Sequence, residues 1–122
     1  MIANQTRKTV IAESFTECRS LLSKARGLMF RKKPCPLLFS FSKSQKIPLH
    51  MLFVFFPIDV LWIDAGWKVV DIKEGFRPFS FYSPSREARY VLELECGAVR
   101  RSRTQVGDLL RKGSRESGHE VA

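Results

Sequence analysis

The chain is poor in the residues that build reactive centres. Cys18, Cys35 and Cys96 are its only cysteines, with no Cys-x-x-Cys spacing, and His50 and His119 are its only histidines. An odd cysteine count and so few imidazoles argue against a disulfide framework and against a zinc site. Acidic side chains are also scarce, 12 against 21 basic ones, and no acid, base and nucleophile stand together as catalysis usually requires. The longest unbroken apolar run, Met51 to Phe56, falls far below the roughly 18 residues that span a bilayer. Met1 to Lys8 lacks the apolar region of a secretory signal. These absences lead to the expectation of a cytoplasmic protein with no membrane span and no cofactor, and with a non-catalytic role.

What the chain does have is a core. At 122 residues, with 44% hydrophobic content, ten Phe and two Trp, it holds enough apolar surface for one folded domain. We expect that domain over residues 1–111 and a disordered basic and polar tail over 112–122. The formal charge of +9 is uneven. Residues 1–50 carry ten basic and two acidic side chains, residues 51–95 five and seven, and residues 96–122 six and three. If the two ends meet in space they form a basic face that attracts nucleic acid, anionic lipid or an acidic partner.

Period-two patterns dominate. Thr9 to Ala12, Leu37 to Phe41, Ile58 to Asp64, Trp67 to Glu74, Tyr90 to Glu95 and Leu109-Leu110 read as strands. Ser42 to Lys46 reads as a turn, and Leu49 to Phe56, apolar on both alternating faces, suits a central strand. Ile58, Val60 and Trp62 point to one side, and Asp59, Leu61 and Ile63 to the other. Asp64 to Trp67 is a hairpin in which Gly66 is expected to take positive φ. Two helices are predicted. Ser14 and Glu17 match a capping box at the head of one running to about Arg26, closed by Gly27, and Gly97 to Thr104 suits a second, shorter one. The expected class is mainly β: a compact sandwich, jelly-roll-like fold or barrel, with an N-terminal helix packed on it and a short C-terminal helix.

Asp59 is the most informative single residue. It lies two positions beyond Pro57 among Phe55, Phe56, Ile58, Val60 and Trp62, and a lone carboxylate in such surroundings is costly unless it is paired or hydrogen-bonded. It is either a fold clasp, accepting backbone amides or an Arg such as Arg26 or Arg31, or the floor of a ligand site that also includes Met51. Asp64 and Asp108 read as turn residues. Glu93 and Glu95 read as the solvent face of their strand. Lys32 and Lys33, with Arg100, Arg101 and Arg103, form the basic segments that would touch nucleic acid. A hydrolase using Asp59 with His50 requires both to face one cleft.

Arg26-Gly-Leu-Met-Phe-Arg31, Pro57-Ile-Asp59, Asp64, Tyr90-Val-Leu-Glu-Leu94, Gly97 and Val106-Gly-Asp108 occur in that order. On them the chain resembles the family catalogued as domain of unknown function 192, over roughly residues 8–112. The resemblance implies a small β-rich fold of sandwich or jelly-roll type and no established activity. Two departures stand out. Leu49-His-Met-Leu-Phe-Val54 replaces an aromatic-Trp-Met-Lys-Asn-Thr string, so three polar side chains become apolar. Ser102-Arg103 replaces Leu-Gly, so the short helix is expected to end differently, because Arg is more strained than Gly at positive φ. The expected function is a binding or interaction module for a small polar ligand or a protein partner, acting as a monomer or weak homodimer. Nucleic-acid binding is the alternative.

Overall fold

The computed structural model describes residues 1–18, 36–50, 56–113 and 120–121. Eleven strands and one short helix are found among them: β1 (Ile2–Asn4), β2 (Thr9–Ala12), β3 (Thr16–Cys18), β4 (Leu37–Gln45), β5 (Leu49–His50), β6 (Ile58–Ile63), β7 (Val69–Phe76), β8 (Phe81–Tyr82), β9 (Ala88–Glu95), α1 (Ala98–Ser102), β10 (Leu110–Lys112) and β11 (Glu120–Val121). A three-stranded antiparallel sheet has the order β10-β1-β2, and a six-stranded sheet the order β11-β3-β4-β9-β6-β7, while β5 and β8 form a separate ribbon. Both sheets are open, so the fold is mainly β without a closed barrel.

The cores follow from strand alternation. β9 lies between β4 and β6, with Leu92 opposite both Leu38 and Leu61. Leu38, Leu61, Ile63, Leu92 and Leu94 pack with Ile2, Ile11 and Leu110 of the smaller sheet and with Ala98 and Val99 of α1. The opposite face of the large sheet, Leu37, Phe39, Ile58, Val60, Trp62 and Val91, packs with Ile47, Phe76 and Ala88. Every residue of β6 is buried, as expected for a strand covered on both sides. The indole N–H of Trp62 donates to the Ile47 carbonyl at 2.8 Å, so this large side chain enters the core with its polar atom satisfied.

Several local expectations give way to tertiary pairing. Thr16–Cys18 is a strand parallel to β4, with Thr16 opposite Leu37 and Cys18 opposite Phe39. The helix expected from Phe15 therefore does not start there, and its continuation to Arg26 lies outside the described residues. β4 runs on through Ser42 to Gln45, where an irregularity lets Gln45 pair with Ala88. Among the described residues Leu49–His50 pairs with β8 and not with the large sheet, and residues 51–55 of the expected central strand lie outside the description. Because β9 is an inner strand, Glu93 is buried and only Glu95 reaches solvent. Lys112 ends β10, and Glu120–Val121 pairs with β3, while residues 114–119 of the expected tail lie outside the description.

The helix end also departs from expectation. Arg103 takes the left-handed conformation, φ 58 and ψ 31, and its N–H donates to the Arg100 carbonyl. The chain thus keeps the usual geometry of a glycine-terminated helix without the glycine. Arg103→Gly is expected to stabilise the fold by about 0.5–1 kcal/mol and raise the melting temperature by roughly 2–4 °C. Thermal unfolding by circular dichroism checks this.

Candidate functional site

Asp59 is 1% exposed, and all its described hydrogen bonds come from backbone. Opposite it β7 carries an extra residue, since Ile58 pairs with Phe76 and Val60 with Lys73. Gly75, at φ 57, turns its N–H out of the ladder at this bulge and donates it to Asp59 Oδ1 at 2.9 Å. Gly97 and Val99, in the opening turn of α1, donate to Oδ2 at 3.0 Å each. Helix N-termini leave such amides without intrahelical partners, and here a side chain from another strand satisfies them while placing negative charge at the positive end. Asp59 has no open face. His50 lies in the β5 ribbon, its backbone paired with Phe81. Arg26, Arg31, Lys32, Lys33 and Met51 lie outside the described residues.

A second polar centre is absent from the sequence expectations. The amide nitrogen of buried Asn4 donates to Thr104 Oγ1 at 3.1 Å and to Asp108 Oδ2 at 2.9 Å. Asp108 Oδ2 also accepts Arg7 Nε at 3.0 Å and the Gln105 N–H at 2.9 Å. Ser102 Oγ, 2.7 Å from Thr104 Oγ1, donates back to the helix. Asp108 is therefore more than a turn residue, because it joins β1 to the segment after α1. Burial pushes its pKa up, but the hydrogen bonds from Arg7, Asn4 and Gln105 and the Arg7 charge outweigh it, holding the carboxyl below the usual 3.8.

A cavity of about 890 Å³ forms a cleft between the sheets. Its walls come from β3, β4, β9, β10 and the hairpin before β7. Trp67 stacks on Tyr90 with ring centroids 4.5 Å apart and planes at 30°. Lys112 Nζ meets Glu17 Oε1 at 2.8 Å, Glu17 being almost fully buried and Lys112 partly exposed. Arg89 is anchored through Nε to the Phe41 carbonyl at 2.7 Å, leaving its terminal nitrogens available. Those nitrogens, the indole N–H of Trp67 and the hydroxyls of Tyr90, Ser40 and Ser42 make no hydrogen bond to other described residues. The cleft is thus rich in donors, while its carboxylate is already engaged by Lys112.

Trp67 also occupies the strained position of its hairpin. Asp64 Oδ1 accepts the N–H groups of Gly66 and Lys68 at 2.9 Å each, but positive φ falls on Trp67, at 63°, and not on Gly66. That conformation costs a non-glycine residue about 1–2 kcal/mol. Its carbonyl accepts the Leu110 N–H at 2.8 Å, fixing the hairpin to β10. Sequence reasoning missed Asn4 at the second polar centre and Glu17, Ser40, Ser42, Trp67, Arg89, Tyr90 and Lys112 in the cleft. The polar Asn4 next to the apolar residues of β1 was a visible signal, but nothing local pointed to Glu17 or Trp67.

The remaining basic candidates, Arg100, Arg101 and Arg103, are exposed on and just after α1. Arg101 faces Glu95 at 3.3 Å with both side chains more than half exposed, a geometry that contributes little. Among the described residues no cluster of His, Cys, Asp and Glu suits a metal, and no helix is long and apolar enough to cross a membrane.

A family profile described as "Uncharacterized ACR", the domain of unknown function 192, matches residues 3–112. The chain belongs to this family. It is similar to uncharacterised UPF0127 proteins, being 30% identical to one from Thermococcus kodakarensis over 90% of this chain and 71% of that one. One from Pyrococcus furiosus is 36% identical over 69% of this chain and 73% of its own length. A crystal structure from Sinorhizobium meliloti, described as a candidate transcription regulator, matches with TM-score 0.75 and 26% identity over 80% of this chain and 79% of that one. A protein of unknown function from Novosphingobium aromaticivorans matches equally well at 20% identity, over 80% of this chain and 74% of that one, which shows the shared fold.

Asp59→Ala would remove the acceptor of three amides, that of Val99 buried and those of Gly75 and Gly97 partly so. A loss of about 3–5 kcal/mol is expected, measured by urea unfolding. For Asp108 the folded pKa is lowered, so its stabilisation is present above the unfolded value near 3.8 and is lost as pH falls through the lower folded value. Stability should therefore fall below about pH 4, and Asp108→Asn should flatten that part of the profile.

Proposed function

We propose that this protein is a binding module whose ligand is a small, acceptor-rich anion held in the cleft between the two sheets. One observation carries the proposal: the terminal nitrogens of Arg89 and the hydroxyls of Tyr90, Ser40 and Ser42 line one cleft without partners among the described residues, while Glu17 is neutralised by Lys112. A donor surplus selects acceptors, and a guanidinium with open terminal nitrogens suits a planar or tetrahedral oxyanion. A cleft of about 890 Å³ lies within the range of small-molecule sites. The closed coordination of Asp59 points away from that carboxylate as the ligand's anchor.

Pyrophosphate is the probe for calorimetric titration. Saturable binding is expected, weakening about fivefold or more in Arg89→Ala for loss of roughly 1 kcal/mol or more of charge-assisted hydrogen bonding. Absence of binding, or an affinity indifferent to Arg89, would sink the proposal. A second reading is nucleic-acid binding through Arg100, Arg101 and Arg103. It is favoured by the description of the Sinorhizobium meliloti protein and by the exposure of these side chains beside one another. It requires a short DNA duplex to bind at low salt and to lose affinity steeply as salt rises; a flat salt response ends it.

A further inference from the structure

The cleft holds more than an anion needs. Its volume of about 890 Å³ far exceeds that of a bare oxyanion, and an aromatic pair, Trp67 on Tyr90, forms part of its lining. The backbone at Trp67 sharpens the point. A hairpin that needed only to turn would place glycine where φ is positive, and Gly66 is the adjacent residue. The chain instead puts a bulky side chain at φ 63, and it persists because the surroundings over-determine it. The Trp67 N–H donates to the Asp64 carbonyl at 3.0 Å and its carbonyl accepts from Leu110, while the ring is held against Tyr90. Strain of this kind marks positions where a side chain is wanted in a particular place.

Resting on the anion-binding proposal above, we infer that the cleft takes a planar aromatic ring bearing a phosphate-type anion, the chemistry of a nucleoside monophosphate. The ring stacks against the Trp67–Tyr90 pair and the anion meets the terminal nitrogens of Arg89, with Ser40 and Ser42 supplying further donors. Aromatic side chains accept any base on their π faces, so ring identity is only weakly selected. The ring and the charge contribute separately.

Four probes divide those contributions: AMP carries both parts, adenosine only the ring, and inorganic phosphate and pyrophosphate only the charge. Binding is followed by calorimetry and by tryptophan fluorescence, in which Trp62 is buried in the core and Trp67 faces the cleft. AMP is expected to bind about tenfold more tightly than either adenosine or inorganic phosphate, since one stacked base contributes roughly that factor. Trp67→Asn places a residue that tolerates positive φ in the hairpin, so the fold should be retained, as a thermal melt would show. It should lose about tenfold for AMP and leave pyrophosphate within about twofold, whereas Trp67→Phe keeps a ring and most of the AMP affinity.

AMP binding no tighter than inorganic phosphate, with Trp67→Asn indifferent to both, overturns the aromatic component and leaves the anion site standing. Adenosine binding as tightly as AMP removes the anion from the recognition. If neither AMP nor pyrophosphate binds saturably, this inference and the proposal beneath it fall together.

Discussion

One carboxylate fixes the relative placement of three elements. Asp59 projects from β6, accepts the amide that the bulge in β7 removes from its ladder, and accepts two amides at the head of α1. Taking a carboxylate out of water costs several kcal/mol, and only full coordination offsets that. The bulge supplies its amide through Gly75, and the helix supplies its own through Gly97, whose φ of 101° is open to few residues other than glycine. The edge strand, the inner strand and the helix therefore meet at one charge. Ala98 and Val99, placed by that contact, close the core between the sheets.

The rest of the sandwich is held by a second polar group at a different place. Asn4, Asp108 and Thr104 join the first strand to the segment leading into the last strand of the smaller sheet, and β1 pairs β10 directly. This pairing brings early and late basic residues close together, but Arg7 is spent on Asp108 and Lys112 on Glu17. Arg89 stands in the cleft, and Arg100 and Arg103 are exposed near the helix. The cleft exists because two open sheets share a core in the middle and do not close around it, leaving Tyr90 and Lys112 beyond the packed leucines.

Local patterns were most legible where burial and period agreed. The alternation in Ile58 to Ile63 separates two faces, and those faces enter two different cores. The burial of Asp59 was legible for the same reason, since a residue inside such a strand has no route to solvent. Where a local signal competed with a distant partner, the partner won. Ser14 and Glu17 spell a helix cap, yet Glu17 sits in a strand beside β4 and bonds Lys112, 95 residues away. Glu93 reads as solvent-facing until its strand is placed between two others.

The order of residues by itself determined that the chain would be mainly β, where its inner strands run, and that one carboxylate would lie inside, because these depend on side-chain chemistry at spacings of two. Only the tertiary structure decided which amides coordinate that carboxylate, since they lie 16, 38 and 40 positions along the chain. It also decided that Trp67, Tyr90, Arg89 and Lys112 line one cleft. That juxtaposition is a product of strand order, and strand order is set by the packing of whole sheets, which no local pattern records.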